Sequence, residues 1–315
     1  MLNDALRNVL LQMAKSDRLR QVVETAPVSR SVVKRYVPGA DPQDAVSCTG
    51  ALLDAGLTVT IDHLGEDTTD RSQADTVRDA YLSLLQPLSD AGYTQSGRAE
   101  VSVKLSAVGQ ALGPDGPKLA TENAHRICEA AQQAGTTVTI DMEDHTTTDA
   151  TLQTVRDLRG DFPWVGAVIQ AYLRRTEGDC RDLSGPESRV RLCKGAYKEP
   201  ESVAYQAKAD VDKSYVRCMK ILMAGQGYPM AATHDPRLVD IVGALAVKNS
   251  RKQGSYEYQM LFGIRPDEQR RLAGTGETVR VYLPYGQDWY GYFMRRLAER
   301  PANVTFFLRS LATKG

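Results

Sequence analysis

Four β-branched runs in this chain each carry, late in the run, a side chain able to do chemistry. They are Val101-Ser102-Val103-Lys104-Leu105, Val138-Thr139-Ile140-Asp141, Val190-Arg191-Leu192 and Val279-Arg280-Val281-Tyr282-Leu283. Successive side chains of a strand face opposite sides, so the apolar residues of each run share one face. Ser102, Lys104, Asp141, Arg191 and Tyr282 fall on the other face. A single polar residue of this kind is most simply a surface charge. Four strands of the same parity predict instead an ammonium, a carboxylate, a guanidinium and a phenol aimed at one space. Mixed ions there neutralise one another and leave a polar cavity shaped for a ligand.

A second set closes the chain. Asp288 is placed to cap a helix through WYGYFMRRLAER, on which Trp289, Phe293, Arg296 and Leu297 form one stripe. Arg296 then sits on the apolar face, where an unpaired guanidinium is costly. Arg295 lies about 100° around the helix from it and can flank the same groove. Two adjacent guanidiniums suit a carboxylate, held by bidentate charge-assisted bonds. Glu299 stands four residues from Arg295 and three from Arg296, so a salt-bridged surface fits the same spacing. Spacing alone leaves both readings open.

Two further groups, Asp62-His63 and Asp141-x-Glu143-Asp144-His145, offer oxygen and nitrogen ligands near strand ends. They raise a rival reading, a metal-dependent lyase or hydrolase. Lys104 and Arg191 count against it, because both would crowd a divalent cation with like charge. His125, within a helical stretch, reads as a solvated or capping residue.

The elements that must position these residues alternate regularly. Short β-branched runs begin at Thr58, Ala99, Thr137, Trp164, Arg189, Tyr228, Ser255 and Val279. Helix-like stretches such as DTVRDAYLSLLQPLSDAG, TENAHRICEAAQQAG and YVRCMKILMAGQG lie between them, each closing near a glycine. Strand–helix alternation repeated about eight times predicts an α/β fold, a parallel (β/α)8 TIM-type barrel. An open doubly wound sheet would announce a nucleotide site with G-x-G-x-x-G, which is absent. Residues late in a barrel strand lie at the C-terminal face, where such enzymes build their sites. The first fifty residues read as a helical arm, with Leu2, Leu6, Val9, Leu10 and Met13 at helix spacing. Pro38-Gly39 and Asp41-Pro42 mark its end, so the expected division is an arm at 1–50 and a barrel at 51–315.

Composition limits the function classes. The chain has 315 residues with 39 Lys+Arg against 39 Asp+Glu. That balance argues against a nucleic-acid partner, which demands clustered unpaired cations. No run approaches the ~18 apolar residues of a membrane span. Asp4 and Arg7 interrupt what would be the apolar core of a signal peptide, so a cytoplasmic protein is expected. An amphipathic stretch over residues 2–13 fits peripheral contact at the inner face of the membrane, and packing within the protein equally well. Five dispersed cysteines (Cys48, Cys128, Cys180, Cys193 and Cys218) with no C-x-x-C read as small, mostly buried thiols.

In this order the motifs VSVKLS, TIDMED, IQAYLRR, RLCKGAYKEP, THD, YEYQMLFG and VYLPYGQDWYGYFMRRLAERPAN resemble the proline dehydrogenase family, in its short monofunctional form. The resemblance spans about Thr58 to Leu308 and leaves the arm aside. It implies a distorted (β/α)8 barrel with non-covalent FAD, oxidising L-proline to Δ1-pyrroline-5-carboxylate by hydride transfer from proline C5 to flavin N5. Electrons would then pass to a membrane quinone. It further implies that Arg295 and Arg296 hold the proline carboxylate, with Lys104 completing the charge set. Asp141 would pair with Lys104, Tyr282 would pack on the proline ring and Tyr197 would lie near the substrate. Asp141 and Arg191 would be the catalytic pair, with Arg191 approaching flavin N5. Met142, Gln170, Arg191, Lys194, Gly195, Ala196, Thr233 and His234 would line the flavin. No metal is implied, and the oligomeric state stays open.

This sequence departs from the family in two places. Cys193 stands where a branched aliphatic residue is common, and Lys198 where some members carry Trp. The second leaves open which residue covers that edge of the flavin. A non-catalytic barrel would be expected to lose one of the inward residues or the closing Arg-Arg pair, and all are present.

Overall fold

The structure is a computed structural model that describes residues 33–65 and 68–298. Eight strands pair in chain order and close into a parallel barrel: β1 (Thr58–His63), β2 (Ala99–Val103), β3 (Val138–Ile140), β4 (Gly166–Gln170), β5 (Arg189–Cys193), β6 (Tyr228–Ala232), β7 (Glu257–Leu261) and β8 (Val279–Tyr285). β8 returns to β1 in register, Thr60 opposite Tyr282 and Asp62 opposite Pro284.

Around it run α1 (Pro42–Asp54), α2 (Arg71–Asp90), α3 (Gly116–Gln133), α4 (Thr148–Asp161), α5 (Thr176–Asp182), α6 (Lys208–Ala224), α7 (Pro236–Lys248), α8 (Pro266–Gly274) and α9 (Trp289–Ala298). α1 crosses the expected arm–barrel boundary and packs on β1 and β8. Residues 1–32 of the expected arm lie outside the described residues.

Local chemistry explains the helix ends. Asp70 starts α2 by accepting from the Gln73 N–H at 2.9 Å. The buried stripe of α2 is Ala74, Val77, Tyr81, Leu84, Leu85 and Leu88, at the spacing of one helix face. α7 starts with Asp235, whose side chain accepts from the Arg237 N–H at 3.1 Å, followed by Pro236 at the first helical position. α6 leaves its last carbonyls to Arg251, whose guanidinium donates to Leu222, Met223 and Gly225 oxygens at 3.1, 3.0 and 2.7 Å.

The apolar parity of the strands meets these helices. Val59, Ile61, Val101, Val103, Val138, Ile140, Val281 and Leu283 are all fully buried there. The interior parity is polar instead. It holds four cations, Lys104, Arg189, Arg191 and Arg280, and four carboxylates, Asp62, Glu100, Asp141 and Glu257. Arg189 meets Glu100 at 2.6 Å, and Arg280 meets Glu257 at 2.8 Å. The surrounding guanidiniums outweigh burial, which acts in the opposite direction, and hold the Glu100 carboxyl far below the usual range.

Candidate active site

Five of the residues placed by parity meet at the C-terminal mouth of the barrel. The Lys104 ammonium donates to both Asp62 oxygens, at 2.8 and 2.7 Å, and to the Tyr282 hydroxyl at 3.2 Å. Tyr282 in turn donates to Asp141 Oδ2 at 2.7 Å. The other Asp141 oxygen accepts from Arg191 Nη1 at 2.7 Å and from Ser102 Oγ at 2.8 Å. Arg191 lies with its guanidinium carbon 5.3 Å from the centre of the Tyr282 ring. Burial alone would lower its pKa, but Asp141 and Glu100 reverse that, and it is raised. Arg191 therefore stays charged although only 3% exposed.

Asp141 pairs with Lys104 as expected, at 3.7 Å, but Asp62 is the closer partner, at 2.7 Å. β1 and β2 are neighbours with Asp62 opposite Ser102, so Lys104, two residues further along, reaches Asp62 first. Asp141 makes its shorter bonds to Arg191 and Tyr282.

A second group gathers where β4, β5 and β6 end. Gln170 donates to the Glu143 carbonyl at 2.6 Å and accepts from the Ala196 N–H at 3.3 Å. Lys194 reaches Asp212 at 2.6 Å and Asp235 at 3.2 Å. Burial would raise Asp235, but the bond and charge of Lys194 bring it down to about 2. Thr233 Oγ accepts from the Asp235 N–H at 3.1 Å, and His234 Nε2 accepts from the Leu261 N–H at 2.9 Å. That bond fixes the imidazole as the Nδ1–H tautomer. Met142 is buried, whereas Tyr197 is 36% exposed. Gly195 has φ +124°, and a Cβ on it would come within 2.3 Å of the Tyr172 ring. The Tyr172 hydroxyl is anchored by Glu199 at 3.2 Å, and Glu199 also holds the His145 ring.

Arg295 and Arg296 follow on α9, immediately after β8, both partly buried. The Arg296 guanidinium packs 5.1 Å from the centre of the Tyr292 ring, and Phe293 beside it is fully buried. Glu299, which would decide between clamp and surface salt bridge, lies outside the described residues.

Sequence reasoning passed over Gln259, Glu257, Glu100, Arg189 and Arg280 inside the barrel. Strand parity was the available signal for Glu100 and Arg280, which alternate with the valines of their own runs. The ligands of the rival metal reading are drawn apart by other bonds. Asp62 goes to Lys104, Glu143 to Ser106 Oγ at 2.5 Å and Asp144 to Thr146. Among the described residues no group of three His, Cys, Asp or Glu is placed to hold a metal ion. The cysteines are free, three of them buried and Cys48 and Cys193 partly so.

A closed parallel barrel with a charge-balanced cluster at its C-terminal mouth is the build of a (β/α)8-barrel enzyme. Residues 46–309 match the family model for proline dehydrogenase. A proline dehydrogenase of Deinococcus radiodurans is 37% identical over 313 residues, 99% of each chain. Proline dehydrogenase 2 of Bacillus subtilis is 36% identical over 308 residues, 98% of this chain and 99% of that one. Among solved structures, proline utilization A of Bdellovibrio bacteriovorus, inactivated by N-propargylglycine, superposes with a TM-score of 0.80 at 25% identity. That match covers 87% of this chain and 33% of the other, so this chain spans about a third of that protein's length. The chain belongs to the proline dehydrogenase family, oxidoreductases that act on proline.

Proposed function

We propose that the protein oxidises L-proline to Δ1-pyrroline-5-carboxylate with non-covalent FAD and passes the electrons to a membrane quinone. The observation that carries this reading is the mouth cluster of Lys104, Asp62, Tyr282, Asp141 and Arg191, joined by bonds of 2.7–3.2 Å. The quinone rests on the family resemblance alone, whereas a cytoplasmic location and peripheral membrane contact rest on the residue pattern described above. Among the described residues no helix is long and apolar enough to cross a membrane. The assignment of residues 1–50 to an arm and 51–315 to the catalytic barrel is part of the proposal.

The donor set fits a flavin. A buried, permanently charged Arg191, the Gln170 amide and the Thr233 hydroxyl stand at neighbouring strand ends, suited to a ring that gains electrons. Met142, Gln170, Arg191, Lys194, Gly195, Ala196, Thr233 and His234 would hold it. Bound FAD would supply the two-electron acceptor, taking hydride from proline C5 at N5.

The chain's own residues do the rest. Arg295 and Arg296 grip the proline carboxylate through paired N–H bonds, and Lys104 adds a third positive charge. Tyr282 forms a flat wall against the proline ring, and Tyr197 flanks the substrate. Asp141 acts by position: it fixes Arg191 and the Tyr282 hydroxyl together, so the wall and the cation keep one geometry. Arg191 holds positive charge in a site of low dielectric, which favours the gain of electrons there. Incubating the protein with L-proline and an artificial electron acceptor tests the reading. Trapping of Δ1-pyrroline-5-carboxylate by an aromatic amino-aldehyde is the expected result, and consumption of proline without that adduct would refute it.

A further inference from the structure

Arg191 is held by short bonds at two edges, and only one of those edges faces the mouth cluster. Its Nη1 donates to Asp141 and to Ser102, at 2.7 and 2.9 Å. Its Nε donates to Gln259 Oε1 at 2.5 Å. Gln259 lies on β7, 2% exposed, and its amide nitrogen donates to Glu257 Oε1 at 2.5 Å. An amide has one acceptor end and one donor end. Because a carboxylate only accepts, Glu257 fixes the nitrogen toward itself and the oxygen toward Arg191. Glu257 is in turn held by Arg280 Nε at 2.8 Å and the Tyr228 hydroxyl at 3.1 Å.

A guanidinium is a rigid planar fork, so bonds at two edges fix its plane as well as its position. Nη2 makes only a long bond to Thr60 at 3.4 Å and stands 3.9 Å from Glu100, so without Gln259 the Nε edge has no acceptor and the plane is held less tightly. The second edge matters here because the Arg191 guanidinium carbon lies over the Tyr282 ring, 5.3 Å from its centre, a contact that a turn of the group would change.

We infer that Gln259 is a positioning residue for the redox step: oriented by Glu257, it locks the plane of Arg191 and so sets the charge that the flavin meets. The inference rests on the proposed flavin chemistry. Gln259 itself touches no reacting atom.

The test is the midpoint potential of the bound flavin in the full-length, flavin-loaded protein, with Gln259→Met and Gln259→Asn. Met fills the space without an acceptor, and Asn keeps an amide that is one methylene too short. In Gln259→Met the reduced form loses about tenfold in its equilibrium with the oxidised form, a fall of about 30 mV for a two-electron couple. The rate of flavin reduction by L-proline falls by a similar factor, with the proline KM changed by less than about twofold, as for an interaction made mainly in the transition state. Gln259→Asn shifts in the same direction by less. Flavin content and reduction by proline in the parent protein establish the underlying reading independently. If the parent passes both and the variants keep its potential while losing only thermal stability, Gln259 is structural and the inference falls. If one variant fails to fold, the other decides by the same criterion.

Discussion

Two arginines proposed to share one carboxylate ligand make a sharp demand at the level of single residues. The proposed clamp predicts that Arg296→Met weakens proline binding roughly a hundredfold, the loss from truncating one partner of a desolvated charge pair. Flavin content should stay at the parent value. Steady-state kinetics and the flavin-to-protein absorbance ratio read the two effects separately, and lost flavin with intact proline affinity would remove Arg296 from the clamp. Lys104, Asp141, Arg191 and Tyr282 were legible in the sequence because each interrupts a run of Val, Ile or Leu with a period of two. Gln259 alternates with Tyr256, Tyr258 and Met260 in the same way, but it carries no charge, and an uncharged amide does not mark a site by itself. Asp62 shares the inward parity of its strand, but its pairing with Lys104 depends on inter-strand register, which a single run does not contain.

Elements matter where a loop must hold a shape against its own side chains. The turn after β5 places Gly195 at φ +124° against the Tyr172 ring. Gly195→Ala is therefore expected to cost about 1–3 kcal/mol of stability, the usual range for a strained backbone position, and to lower flavin content. Urea unfolding and the flavin-to-protein ratio check this, and an alanine variant with both at parent values would contradict it. The start of α7 gives a pH-dependent case. Asp235 both caps that helix and pairs with Lys194, which, against burial, brings it from an ordinary 3.8 to about 2. A depressed carboxyl contributes stability in full above about 3.8, and loses it as pH falls toward 2. Asp235→Asn keeps an acceptor for the cap and removes the charge. The parent should exceed this variant in melting temperature at pH 5, and the gap should narrow toward pH 2. A gap independent of pH would show that the ion pair contributes nothing.

On the scale of the whole molecule, the barrel joins residues that are distant in the chain, with Lys104 and Tyr282 separated by 178 positions. Closure of β8 onto β1 makes that contact possible, and it also brings four interior cations into reach of four carboxylates. The eight-fold alternation was visible in the sequence because glycines and β-branched runs punctuate it. The floor network of Glu100, Arg189, Glu257 and Arg280 was not, because ion pairs across a barrel follow from closure and register together. The central claim, that this cluster serves a flavin reduced by proline, meets its most direct test in one cuvette. The visible spectrum of the purified protein is recorded before and after anaerobic addition of L-proline. A flavin band that bleaches on addition is the expected result, and a flavin-loaded protein whose band is unchanged by proline would contradict the account.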